Sequence, residues 1–585
     1  MTGLVERTRQ RVTHFMKKWE REAPARRFMA WCRRLPGSVW SNLRKSRRLH
    51  PATRRYIRFN RELWGTPPAT DQNGVFLVGL YPWFPCMPGY AHFANHFAGK
   101  ASASIEWYNF YPRREREFEQ IYRSFGARPG LTLDLVKVDE ERAKQSAQEI
   151  FSQLRTKWDV IAIEVDGLQI GDLIYDTYLR VGPYPTVDIT DPRLAEIILY
   201  GVRIARSCLD YFSKKKVIGI IPDHFTYVYS GIITRCALLA GVPVYEVCYG
   251  PHFVAFSVSI GPDKRLPARF PYAQFHRMFA QLTAEEREAA REKGRRVLQR
   301  RFAGHEDGLL AIGGSIYGEA VVKSAYSGVS SEAVMETTGR PRILVMLHDF
   351  CDAVHCIGPM LFPDFYEWIH CLLKHASETE FDWYVKPHPN SAREGVIARV
   401  TGGVLAELKS QYPRIRFLQP TTSSRQIIQE GVSAMFTGYG TAGHEFAYHG
   451  VPVVNAGENP HMAYDFNLHP QTVEEYLDCI AHADSLKVNI HKEDIEEYIY
   501  MNYMYNEERL SSDANPMSKA FLESDEYKRH RSRPETLEWL MYRLGEEEKA
   551  ELARYFDRLP HVSEPLSVNV RAGKTQQPEA TILSV

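Results

Sequence analysis

The sequence predicts an α/β protein built from two Rossmann-like halves, each a parallel sheet wrapped by helices. Three observations carry this. Short apolar runs alternate with longer helical stretches from residue 75 to about residue 480, as parallel strands joined by crossover helices do. The alternation pauses at a Ser-, Thr- and Gly-rich stretch, Ser327 to Pro341, and then begins again. The chain has 585 residues, and a single hydrophobic core stops growing near about 250 to 300.

In chain order, residues 1–65 form a basic amphipathic arm. The first 60 residues hold 17 Lys and Arg against three Asp and Glu, in a chain whose net charge is only +2. Arg26, Arg27, Arg33, Arg34, Arg44, Lys45, Arg47 and Arg48 are interleaved with Trp19, Phe28, Trp31 and Trp40, a mixture that suits an anionic headgroup layer. The expected partner of residues 1–60 is therefore an anionic membrane surface; a solvated helical extension is the alternative, and nucleic acid is not expected.

Residues 66–326 make the first Rossmann-like unit, with strands at Gly74–Leu80, Val160–Ile163, Val217–Ile221 and Val244–Val247 and helices at Glu140–Leu154, Leu194–Phe212 and Gly231–Ala240. Thr283 and Glu286 have capping-box spacing and open a charged helix reaching about Arg301. Residues 327–341 are the linker. The second unit, 342–487, has strands at Ile343–Leu347, Phe381–Val385, Ile415–Leu418, Ala434–Thr437 and Val451–Asn455 and a helix near Asp364–His375. A helical region, 488–560, and a flexible tail, 561–585, complete the chain.

Composition narrows the class. With 44% hydrophobic and 25% charged residues the chain reads as globular. Its nine cysteines are scattered without a CxxC pair, which argues against a disulfide framework or a structural zinc site and fits a reducing compartment. The longest apolar stretch, Val75 to Phe93, is cut by Pro82, Pro85 and Pro88, short of the roughly 20 residues a membrane helix needs. The amino terminus lacks a secretory signal. The expected location is cytoplasmic, peripheral on the inner face of the cytoplasmic membrane.

Three loops of the second unit, each following a strand, gather polar groups that a packed core would not hold. The first contains His348 and Asp349 and continues to Asp352 and His355; the second is Lys386-Pro387-His388-Pro389. Proline stops the strand and stiffens the loop, and lysine and histidine both suit a phosphate. The third is "TGYGTAGHEFAYHGVPVV", where Thr437, Gly438, Gly440 and Thr441 form a glycine-rich turn into a helix. Free N–H groups at such a turn would seat a phosphate, and Glu445, one helical turn on, would accept from ribose hydroxyls.

"YVKPHPNS" followed by "TGYGTAGHEFAYHGVPVV" resembles the donor domain of bacterial capsular and surface polysaccharide glycosyltransferases of the GT-B architecture, including the Kdo-transferase and sialyltransferase-like groups. The likeness extends through "EVDGLQIGDLIYDTYLR" and "PDHFTYVYSGIITRCALLAGVPVY", covering roughly residues 75 to 480. It implies a CMP- or CDP-activated donor, with His388 at the donor phosphate and Thr437, Gly438, Gly440 and Thr441 lining the same pocket. Where sialyltransferase-like families place a serine pair, this chain has Thr437 and Thr441. The implied partners are a nucleotide-sugar donor and a glycan or glycolipid acceptor.

The first unit should supply the base. Asp166 in "EVDG" resembles the acidic residue from which sialyltransferase-like enzymes draw theirs, and Asp223-His224 in "IPDHF" ends a strand in the same way. Asp172 and Asp176 read as a cap and a solvated helix face. No Asp-x-Asp signature stands at a strand end, so neither metal nor cofactor is expected. The rival readings are a CDP-alcohol phosphotransferase of teichoic-acid type, a nucleotide-sugar epimerase and a non-catalytic membrane-bound scaffold.

Overall fold

The computed structural model describes residues 49–65, 73–111, 115–132, 138–249, 253–260, 267–268, 272–304, 329–392, 395–505, 511–512, 533–541 and 546–557. Most of the basic arm and the whole expected tail lie outside them. The first sheet contains β1 (Val75–Gly79), β2 (Ser104–Asn109), β3 (Arg128–Thr132), β6 (Val217–Ile221), β7 (Val244–Tyr249), β8 (Phe253–Ile260) and β15 (Ser511–Ser512), in the order β15-β8-β7-β6-β1-β2-β3, with β9 (Pro267–Ala268) on β8. From β7 to β3 every pairing is parallel; β8 and β15 add an antiparallel edge. The second sheet is wholly parallel, in the order β12 (Arg416–Phe417), β11 (Asp382–Lys386), β10 (Arg342–Met346), β13 (Ala434–Thr437), β14 (Val453–Asn455).

Counted along the chain, the parallel strands of both sheets run 3-2-1-4-5. This is the doubly wound order, and its topological switch point falls between β1 and β6 in one lobe and between β10 and β13 in the other. The expected α/β architecture of two Rossmann-like lobes is the one observed. Central strands such as β1 and β11 are buried along their whole length, so they read as unbroken apolar runs. Among the strands that were not legible is β2. β2 carries the buried Glu106, which accepts from Arg128 (3.0 Å), Lys215 (2.8 Å) and Tyr211 (2.5 Å), and a charge inside SIEWYN masks its strand character.

Three expectations are corrected. The strand at Val160–Ile163 is instead a short helix, Lys157–Ile161, opened by a capping box in which Thr156 and Asp159 exchange hydrogen bonds. The boundary near residue 326 also shifts. Helices Phe275–Ala280 and Ala284–Phe302 pack with Leu344, Tyr384, Met435 and Phe446 of the second lobe, because Ala290, Val297 and Leu298 bury one apolar stripe there. Finally, the helical region after residue 488 divides between the lobes. Lys492–Tyr503 stays on the second, whereas Thr536–Met541 and Glu546–Asp557 return to the first, where Phe556 meets Phe93 at 5.0 Å and Asp557 pairs with Lys100.

The described end of the basic arm is a docked helix, Pro51–Trp64. Thr53 bonds Glu117 (2.5 Å), Asn60 bonds Ser124 (3.0 Å) and Tyr56 is buried, while Arg54, Arg55, Arg58 and Arg61 remain on the exposed face. The apolar core is continuous across the lobes: Leu173, Ile174 and Tyr175 of the first belong to one cluster with Phe350, Val354 and Phe365 of the second.

Candidate active site

Ligands in open α/β sheets settle beyond the carboxyl ends of the strands at the switch point. In the second lobe that position gathers the residues after β10, β11 and β13. His348 follows β10, and its Nε2 lies 3.2 Å from Thr437 Oγ1 and accepts from the Tyr439 N–H at 3.3 Å. Its ring stacks on Phe365, 4.5 Å between centroids and 11° from parallel. Burial, with the charge of His388 adding to it, pulls the His348 pKa down to about 3, so this imidazole is neutral. A side chain at Gly438 would come within 2.9 Å of Phe365 and 3.2 Å of His348, so this turn can pass the ring only as glycine.

His388 stands at the same switch point, about a third exposed, with Nδ1 3.6 Å from Asp349 Oδ2. Its carbonyl accepts from the Ser391 N–H (2.9 Å) and hydroxyl (2.7 Å), closing the 3-10 turn Pro389–Ala392 that sets the ring's position.

Other expectations for this lobe are corrected. The glycine turn does not offer all its N–H groups: Tyr439 gives its own to His348, and Gly440 points its own at Thr437 Oγ1 at 3.4 Å. Thr441 makes no side-chain cap, and the helix it opens, Ala442–Tyr448, has seven residues. Lys386 is buried and donates to the Pro420 carbonyl (3.1 Å); burial lowers its pKa to about 8 against the opposing pull of Glu445. Glu445 is buried too, and its Oε1 accepts from Arg301 at 2.8 Å. Lys386 and Glu445 thus belong to a charged layer behind the switch point, one that sequence reasoning missed for want of Arg301. A signal existed: Arg301 continues the stripe of Ala290, Gly294, Val297 and Leu298 on its helix.

In the first lobe the switch point holds Asp223, just past β6. Its Oδ1 accepts from Tyr108 (2.7 Å) and its Oδ2 from Ser230 (2.8 Å), while its own N–H donates to the Tyr108 hydroxyl at 3.1 Å. Burial raises its pKa, and the Tyr108 and Ser230 hydrogen bonds oppose the rise. His224 is exposed and turned into its own loop, accepting at Nδ1 from the N–H groups of Phe225 (3.0 Å) and Thr226 (3.1 Å).

Asp166 is corrected outright. The strand it follows is outside the parallel sheet: β4 (Glu164–Val165) and β5 (Leu168–Gln169) form a separate hairpin, and Asp166 and Gly167 are its two-residue loop with φ of 51° and 84°. Asp-Gly flanked by alternating apolar residues, here Val165 and Leu168, is the strongest local hairpin signal. The carboxylate is exposed and paired with Arg206 at 3.0 Å.

Asp176 is not on a solvated face. It is 1% exposed on the helix Gly171–Val181 and accepts from the N–H groups of Val354 (3.2 Å) and His355 (3.3 Å) and from His355 Nδ1 (2.8 Å), all on the loop after β10. Four residues earlier Asp172 grips Arg235 through two bonds of 2.6 Å. Tyr175 and Thr186 reach Asp364 in the second lobe, and Tyr227 donates to Asp352 at 2.9 Å. Two acids one turn apart within an otherwise apolar helix were the legible sign of this seam.

Burial works against a charged His355, but Asp176, Asp172 and Asp364 outweigh it and hold its pKa above the ordinary value. A histidine raised in this way contributes stability that is fully present below its unfolded pKa, about 6.5, and lost as pH rises through the native value. Urea midpoints of the wild type are therefore expected to fall as pH rises above about 6.5, and His355→Gln to remove that slope. An unchanged slope would assign it to other groups.

Among the described residues no three His, Cys, Asp or Glu side chains are grouped to hold a metal ion, and no helix is long and apolar enough to cross a membrane. No family model matches the chain, and no curated protein matches it. Among solved structures it is similar to Thermosulfurimonas dismutans KpsC, beta Kdo 2,7 transferase, with 13% identity, a TM-score of 0.28, and coverage of 50% of this chain and 80% of that one. For the KpsC beta Kdo 2,4 transferase of the same organism the values are 12%, 0.29, 48% and 87%. For the UDP-GlcNAc 2-epimerase from Neisseria meningitidis bound to UDP-GlcNAc they are 10%, 0.21, 73% and 97%. Likeness this slight carries no argument about what the chain acts on.

Proposed function

We propose that the chain is a glycosyltransferase that moves a sugar from a nucleotide-activated donor, a CMP-sugar of the Kdo kind, to a capsular or surface glycan. One observation carries the reading: the two switch points hold complementary chemistry, the part-exposed imidazole of His388 beside Asp349 in one lobe and the buried carboxylate of Asp223 in the other. His388 takes the donor phosphate, with Thr437, Gly438, Gly440 and Thr441 lining the pocket and Lys386 contributing field from behind. Asp223 removes the proton from an acceptor hydroxyl as its oxygen attacks the anomeric carbon. The bond from that carbon to the phosphate oxygen breaks, and its electron pair leaves with the nucleotide, beside His388. The raised pKa of Asp223 makes it a stronger base than an ordinary carboxylate. The protein works at the cytoplasmic face of a membrane, where the exposed Arg54, Arg58 and Arg61 continue the basic character of residues 1–48 toward anionic headgroups.

The test is thermal unfolding of the full chain with free CMP, CDP, UDP or GDP. A nucleotide at a hundred times its Kd adds about 2.7 kcal/mol to native stability, so CMP is expected to raise the midpoint of the wild type and not of His388→Ala. If none of the four moves the midpoint, or if His388→Ala transfers sugar at full rate, the reading fails.

A further inference from the structure

The first lobe places an unusual amount of aromatic surface beside Asp223. Tyr81 and Trp83 follow β1, Tyr111 follows β2, and Tyr227 and Tyr229 follow β6. The Tyr111 and Tyr229 rings lie 4.4 Å apart at 40°, and Tyr229 stacks on Tyr227 at 5.3 Å and 26°. Tyr81, Trp83, Tyr111 and Tyr229 are only half-buried, whereas Tyr90, Tyr108 and Tyr122 a short way below are core.

The cluster is wired to the groups that matter. Tyr111 Oη lies 3.4 Å from Ser230 Oγ, which donates to Asp223 at 2.8 Å, and Tyr227 Oη reaches Asp352 of the second lobe at 2.9 Å. The rings therefore stand between the buried carboxylate and the loop that follows β10.

A second, independent observation is the backbone. Tyr227 has φ of 65°, a region a tyrosine rarely adopts, and it begins a single π-helical turn, Tyr227–Gly231. Such turns and such strain concentrate at functional sites, where they aim side chains that a regular helix would point elsewhere. Here the turn sends Ser230 to Asp223, Tyr227 to Asp352 and Tyr229 against the Tyr111 ring.

We propose that Tyr111 and Tyr229, backed by the buried Tyr227, form the acceptor subsite and take a pyranose ring of the glycan by its C–H face, presenting a hydroxyl to Asp223. The proposal rests on the transferase reading and names the part of the substrate that the first lobe holds. The face of an aromatic ring is electronegative and attracts the polarised C–H bonds of a sugar, while the sugar hydroxyls stay free for the few polar groups at the rim. A nucleobase could also stack on tyrosine, but the platform stands on the lobe opposite His388.

Saturation-transfer NMR on the full chain, with a panel of defined neutral and anionic tetrasaccharides, tests this, with CMP-induced thermal stabilisation as the separate readout of the donor side. At least one tetrasaccharide is expected to bind. Its affinity should fall tenfold or more in Tyr229→Ala and Tyr111→Ala, survive in Tyr229→Phe, and be lost in Tyr229→Leu, which keeps apolar bulk without the ring. The CMP response should be the same in all four variants. Absence of tetrasaccharide binding where CMP binds, or full affinity in Tyr229→Leu, overturns the subsite and leaves the donor reading standing. Tyrosine-dependent tetrasaccharide binding without any CMP response does the reverse.

Discussion

Asp223→Asn is expected to lower sugar transfer by roughly two to four orders of magnitude, the range that a positioned general base contributes. The substitution is nearly isosteric, and the hydroxyls of Tyr108 and Ser230 can each donate or accept, so both partners can still be satisfied. The fold and the CMP-induced stabilisation should therefore persist, since the donor residues lie on the other lobe. Because burial raises its pKa, the acid limb of the wild-type rate profile should lie above the ordinary carboxylate range, and the variant's residual rate should lack that limb. Steady-state rates against pH, beside thermal midpoints with CMP, separate the outcomes. A variant that turns over normally removes Asp223 from the chemistry, and one that also loses CMP binding makes it a structural residue.

Arg301→Met is expected to be strongly destabilising, at about 3 to 5 kcal/mol. Arg301 is 2% exposed, and its partner Glu445 is buried; with the guanidinium gone, a carboxylate remains in a low-dielectric layer. Lys386 still faces Glu445, which places the loss toward the lower end of that range. Urea unfolding at neutral pH measures it. Adding Glu445→Gln should recover much of the loss, because it removes the stranded charge and not merely a contact. If the double variant is no more stable than Arg301→Met alone, the pair is not what holds this layer together.

Much of the scaffold was legible because its signals are local. β6 and β13 fall on the expected residues, the Thr283 capping box forms as spaced, and β1, β10 and β11 shift by a single residue at their ends. Continuous burial makes such strands apolar throughout, and a capping box needs only four consecutive residues. Val160–Ile163 misled because a short apolar run does not distinguish a strand from a buried helical turn. Asp166 misled for a different reason: the resemblance drew attention to an acid before a glycine, while the same two residues were themselves a turn.

The site was half legible. His348, Asp349, His388, Thr437 and Gly438 do meet at one switch point, since each lies at or just past the carboxyl end of a parallel strand and doubly wound topology brings those ends together. Lys386 is one residue before the loop it was assigned to, still on the strand, and that single position turns its side chain to the opposite layer. Asp176, Arg301 and Tyr227 have partners more than 100 residues away, on the other lobe or the other side of the sheet.

The order of amino acids determined by itself most of the parallel strands of the second sheet, β1, β6 and β7 of the first, the Thr283 cap, and that two parallel sheets would bring polar loops to their carboxyl ends. Only the tertiary structure decided which acids are buried and paired, which lobe each peripheral helix joins, and that Asp223 is buried at a switch point while Asp166 sits in an exposed hairpin turn. Periodicity and turn chemistry act over a few neighbouring residues and are written into the chain. Burial and pairing depend on residues brought together from hundreds of positions apart.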